Sequence, residues 1–148
     1  MGDYTRIKFR AKLREDTPAN VLAVFDAASR GEADNLESLP DADFFKDERW
    51  TMVFNGASAY FQTPEKCQVA VEDGLASVSF HSSVKNYDDV IEKFFDWISP
   101  YLAETPGGIL GEYEWTSDQP ETVIVGADGK ITRQKRQPEL DDSETDIW

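Results

Sequence analysis

His81 is the single histidine of the chain, on an alternating segment whose same-face neighbours are Ser77 and Ser79, with Val78 and Phe80 opposite. Serine, imidazole and carboxylate are the parts of a catalytic triad, where the base takes the hydroxyl proton and an acid orients the base. A chain with 29 acidic residues supplies those parts almost anywhere, and no serine stands in nucleophile-elbow spacing. No catalytic residue is therefore expected, and the chain reads as a binding protein and not an enzyme. One histidine and one cysteine, Cys67, do not build a zinc site. The calcium-loop pattern of alternating Asp/Asn with a central Gly and a closing Glu is absent. Gly107-Gly108-Ile109-Leu110-Gly111 runs into a strand, whereas phosphate and dinucleotide loops run into a helix. The expectation is no metal and no cofactor.

Charge offers two other kinds of chemistry. Arg6, Lys8, Arg10, Lys12 and Arg14 crowd one end, and Lys130, Arg133, Lys135 and Arg136 crowd the other. If the first and last strands are neighbours, Arg10, Lys12, Arg133 and Lys135 form an anion site able to grip a nucleotide-like phosphate. The plainer reading is a cross-strand ladder, with Glu112 and Glu114 opposite Arg or Lys. Between the basic ends, Glu32 to Glu48 forms an acidic run, and Asp88, Asp89, Glu92 and Asp96 extend it on a helix. A solvated connection is the ordinary role of such a run. The sharper one is a contact surface built from Asp41, Asp43, Asp47, Glu48, Asp88, Asp89, Glu92 and Asp96. Such a surface could mimic nucleic acid, whose duplex carries one charge per roughly 1.7 Å. Trp148, closing the tail Gln137–Trp148, is a further contact candidate, since aromatic anchors dominate many interfaces.

The elements that must hold these residues follow from periodicity. Tyr4 to Leu13 alternates strictly, placing Ile7, Phe9, Ala11 and Leu13 on one face of a strand. Asp16 or Thr17 is placed to cap a helix with Pro18 in its first turn, and Gly31 ends it. Leu36, Leu39, Phe44 and Phe45 should pin the acidic connection, with a short helix after Pro40. Asn55-Gly56, Asp73-Gly74 and Asp128-Gly129 each predict a hairpin, because these pairs accept the positive φ of two-residue turns. The first would join Trp50–Phe54 to Ala57–Phe61. A second helix spans Asn86 to Leu102, capped by Asn86, with Tyr87, Ile91, Phe94, Ile98 and Tyr101 as its apolar stripe. A strand from Ile109 to Thr116 follows. The fold class is α+β: a largely antiparallel sheet of about seven or eight strands with two main helices packed on one face. Residues 1–136 form a single domain, and 137–148 form an acidic tail of the composition typical of disorder.

Composition bounds the partners. The chain has 148 residues, of which 40% are hydrophobic, and a net charge of −14. That charge argues against direct nucleic-acid or anionic-membrane binding, which depends on Lys and Arg, and favours a basic partner. No apolar run approaches the roughly 20 residues of a membrane helix, and Met1–Arg14 lacks a signal-peptide core. A single cysteine suits a reducing cytoplasm. A homo-oligomer is compatible with all of this.

Phe9…Leu13-Arg14-Glu15-Asp16-Thr17-Pro18, the run Val84-Lys85-Asn86-Tyr87-Asp88-Asp89…Ile91-Glu92-Lys93-Phe94…Trp97-Ile98-Ser99-Pro100-Tyr101, and Gly111-Glu112-Tyr113-Glu114 followed by Thr122-Val123-Ile124-Val125 carry a likeness. In these residues the chain resembles small hypothetical proteins of bacteriophages, prophages and other mobile elements. The resemblance carries no activity and no site residues. It implies a phage-type accessory protein in a bacterial cytoplasm. Together with the extreme charge and the absence of catalytic motifs, it leads to the expectation of a protein that binds and modulates or inhibits a host protein, for example in defence or nucleic-acid handling. The alternative expectation is sequestration of a small anionic, nucleotide-like molecule on the basic strands.

Overall fold

A computed structural model describes residues 4–56, 67–115 and 120–135. The first strand, β1 (Tyr4–Lys12), alternates as its sequence requires, with Ile7, Phe9 and Ala11 buried. Helix α1 (Ala19–Ser29) follows, and Pro18 itself takes its cap position, so neither Asp16 nor Thr17 caps it. The Thr17 hydroxyl instead donates back to the Arg14 carbonyl at 2.6 Å. Gly31 ends α1 as expected, with the Gly31 and Glu32 N–H groups closing on Ala28 and Ala27.

The Asn55-Gly56 hairpin does not form. Trp50–Asn55 is helix α2, because Trp50, Val53 and Phe54 recur at helical spacing and all three are buried. Gly56 serves a close approach and not a turn: a Cβ there would stand 2.5 Å from the Ser83 carbonyl oxygen. The partner segment Ala57–Phe61 lies outside the described residues.

The other two hairpins form. Strand β2 (Gln68–Glu72) turns through Asp73-Gly74 into β3 (Leu75–Lys85), and β5 (Glu121–Val125) turns into β6 (Ile131–Lys135). Helix α3 (Val90–Ile98) is shorter than its apolar stripe suggests. Asp88 and Asp89, both at φ 58°, break the first turn, so Asn86 reaches over them to accept from the Ile91 N–H at 2.8 Å. Strand β4 (Ile109–Trp115) completes the set. All pairings are antiparallel and the sheet order is β2-β3-β1-β4-β5-β6. The fold is thus α+β, with six strands and three α-helices among the described residues. The sequence-based count of about seven or eight strands included the segment that became α2.

The apolar side of the sheet is closed by an aromatic cluster centred on Phe94. Its ring lies 5.1 Å from Phe9, 5.4 Å from Phe80, 5.6 Å from Phe54 and 5.5 Å from Phe44. Those four rings come from β1, β3, α2 and the short 3-10 turn Asp43–Lys46, so one side chain on α3 gathers four elements. Leu36 and Phe45 pack against the core, whereas Leu39, expected to do so, is 39% exposed.

Candidate functional site

The acidic connection and α3 lie side by side because of their aromatic residues. Phe44 is buried with its ring 5.6 Å from Trp97, so the turn that carries Asp43 is clamped to the helix that carries Asp96. Asp41, Asp43, Glu48, Asp88, Asp89 and Asp96 are exposed there. The local cations are engaged: Lys46 pairs with Asp43, Arg49 with Glu48, and Lys93 with Asp47. Net negative charge therefore remains along this side of the molecule.

Two of the predicted contact residues do structural work. Asp47 has a side chain only 4% exposed and takes Lys93 at 3.4 Å and the Arg49 N–H at 2.9 Å, fastening α2 and the connection to α3. Glu92 accepts from the Asn86 amide at 2.8 Å and faces Arg133 at 3.6 Å, tying α3 to β6. Trp148 lies outside the described residues.

The four predicted anion ligands are not brought together. β4 and β5 stand between β1 and β6, a separation of roughly 14 Å at about 4.8 Å per strand. They also face opposite ways. Arg10 and Lys12 alternate with buried Phe9 and Ala11 and so occupy the open face of the sheet. Arg133 is opposite buried Val123 and Lys135 is opposite Glu121, on the helix side. Each pair is also neutralised locally. Arg10 meets Glu72 at 3.1 Å and Lys12 meets Asp73 at 3.1 Å, while Arg133 meets Glu121 at 3.4 Å and stacks 4.0 Å over Tyr113.

The open face holds the expected charge ladder. Arg6 is opposite Glu114 and Lys8 opposite Glu112. Arg6, its side chain 13% exposed, reaches both carboxylates, Glu112 at 2.9 Å and Glu114 at 3.0 Å. Its third nitrogen lies 3.2 Å from His81 Nε2. A guanidinium only donates, so Nε2 is the acceptor in this contact. Beside this cluster, Lys8, Arg10, Gln68, Ser79, Ile109 and Glu112 line a half-open hollow of about 470 Å³. Lys8 is exposed and makes no ion pair with a described residue. Sequence reasoning passed over Lys8 as a site residue; its signal was its place between two alternating arginines.

Cys67 is buried, and desolvation pushes its thiol up to about 12, far from the range of a reactive thiolate. Burial, with Glu92 adding to it, also raises Tyr113. Among the described residues no group of three or more His, Cys, Asp or Glu side chains is placed to hold a metal ion, and no helix is long and apolar enough to cross a membrane. No family model matches the chain, and no curated protein or solved structure matches it.

Proposed function

We propose that this chain is a small acidic accessory binding protein of the phage type, acting in a bacterial cytoplasm by occupying a basic surface of a host protein and modulating or inhibiting it. The observation that carries this reading is the clamping of the connection against α3 by Phe44 and Trp97 and by Asp47 and Lys93, which leaves exposed Asp41, Asp88, Asp89 and Asp96 in excess of the local cations Lys46, Arg49 and Lys93, these being paired with Asp43, Glu48 and Asp47. Such a surface steers a basic partner and suits a defence or nucleic-acid-handling protein, whose own ligand is a polyanion.

The test is capture from lysate of a bacterial host, read by native mass spectrometry, with wild type beside the variant Asp43→Asn, Glu48→Gln, Asp89→Asn, Asp96→Asn. A host protein retained by wild type, lost by the variant and released at about 1 M salt, where screening reaches ~3 Å, is the expected outcome. Capture indifferent to both the substitutions and salt sinks the reading.

A second reading rests on the hollow beside Lys8, which offers that cation, the Ser79 hydroxyl and the Gln68 amide to a small anion, with Ile109, 74% exposed, as an apolar wall; Arg10 at its rim is already paired with Glu72, and Glu112 also lines it. A nucleoside monophosphate should then raise the melting temperature of wild type but not of Lys8→Met. An identical response in both proteins removes this reading.

A further inference from the structure

The sheet has two outer strands among the described residues, and they differ in a way that matters for association. An outer strand exposes unpaired N–H and C=O groups, which natural sheets usually protect with charge, proline or a bulge. β6 carries Arg133 and Lys135. β2 reads Gln68-Val69-Ala70-Val71-Glu72, with no lysine, arginine or proline, and it pairs with β3 without a register shift. Val71 is 77% exposed and Val69 36%.

The turn fixes which backbone groups of β2 face outward. Asp73 and Gly74 have φ of 55° and 79°, a two-residue hairpin in which the flanking residues, Glu72 and Leu75, form a hydrogen-bonded pair. Bonded and non-bonded pairs alternate along an antiparallel ladder. Ala70 and Gln68 therefore also turn their backbone groups to β3, and Val69 and Val71 turn theirs out.

We propose that β2 is the edge through which two copies of this chain join into one continuous antiparallel sheet, with Ala70 on the two-fold axis. In that register Val69 lies opposite Val71 of the second copy, and both residues present the N–H and C=O groups that a hydrogen-bonded pair exchanges. The two-fold repeats the pair, making four inter-chain hydrogen bonds. The side chains match as well. The valines meet on the helix side, and on the open side each Gln68 amide faces a Glu72 carboxylate, so no like charges are opposed. A self-pairing of β6 about Arg133 would instead place that guanidinium against its own copy.

This interface is separate from the acidic surface and responds to salt in the opposite sense. Two chains of charge −14 repel, so screening should tighten the dimer while it weakens capture of a basic partner.

The experiment is sedimentation velocity on the full chain across a concentration series at low and high salt. The expected species has twice the 16.7 kDa chain mass, and its proportion rises with salt. Val71→Pro deletes an outward N–H, removing two of the four bonds while sparing the β2–β3 ladder. Val71→Lys places charge at the same edge. Both should be monomeric, with circular dichroism and melting temperature close to wild type. A wild type that stays monomeric throughout, leaving the edge for another protein's strand, overturns the proposal. So does a dimer that survives both substitutions. If Val71→Pro loses its fold, Val71→Lys alone decides between these outcomes.

Discussion

Gly111→Ala should be among the most damaging single changes this chain can receive. Gly111 sits in β4 at φ 156°, and a Cβ built there would lie 1.7 Å from the Lys8 carbonyl oxygen, 2.7 Å from the Lys8 carbonyl carbon and 3.1 Å from Phe9 Cα. All three are backbone atoms of β1, paired to β4 at this point with a register irregularity between Ile109 and Gly111 on its other side. A carbon–oxygen contact is comfortable near 3.3 Å, so the strands must part locally by roughly 1.5 Å. Holding alanine at this φ costs about 1–3 kcal/mol. Loss of one or two ladder hydrogen bonds adds about 0.5–1.5 kcal/mol each. The sum, centred near 4 kcal/mol, is a large fraction of the 5–15 kcal/mol that typically holds a domain together, and corresponds to a melting point lower by about 15 °C. Gly74→Ala is the control: it also has a positive φ, of 79°, but nothing lies within 4 Å of its Cβ position, so only the strain of about 1–2 kcal/mol remains. Urea unfolding followed by fluorescence of buried Trp50 and Trp97 measures both. If Gly111→Ala costs no more than Gly74→Ala, the overlap with Lys8 is not what requires glycine.

Asp47→Ala should cost about 1–3 kcal/mol, because it strips Lys93 and the Arg49 N–H of a buried acceptor. Asp43→Ala and Asp96→Ala should each stay within about 0.5 kcal/mol. Equal urea midpoints for the three variants would refute the division between structural and surface carboxylates. Cys67 sets an alkaline limit. Its thiol is raised from 9.0 to about 12 in the folded chain, so above pH 9 the unfolded chain loses a proton that the folded chain keeps. Stability is then fully present below pH 9 and falls as pH rises towards 12, by up to about 4 kcal/mol. Cys67→Ala should lose stability less steeply over that window, and identical slopes would assign the loss elsewhere. The raised Tyr113 pushes both proteins the same way.

Local signals were legible where a single period or turn decided the outcome. The alternation of β1, the Asp73-Gly74 and Asp128-Gly129 turns, and the Phe94 stripe all follow from side-chain spacing, and the structure keeps them. Asn55-Gly56 was misread because a turn dipeptide outweighed the i, i+3, i+4 spacing of Trp50, Val53 and Phe54, which the core rewards. The acidic character of the candidate surface was also plain in the residues, since charge is a property of composition.

Which carboxylates belong to that surface was not legible. Asp43 and Asp47 are four residues apart in one acidic run, yet Phe44 turns the chain so that one is solvated and the other is sealed under Lys93. The basic strands show the same limit. Their sequences say that each alternates, but strand order and facing depend on pairings between residues far apart in the chain, such as Arg6 with Glu114, 108 positions away. By itself the sequence determined the class of fold, its local elements and the sign of its charge, because these depend on neighbours along the chain. Only the tertiary structure decided which charges are spent inside the molecule and which are left exposed, because that depends on what the fold places across from each of them.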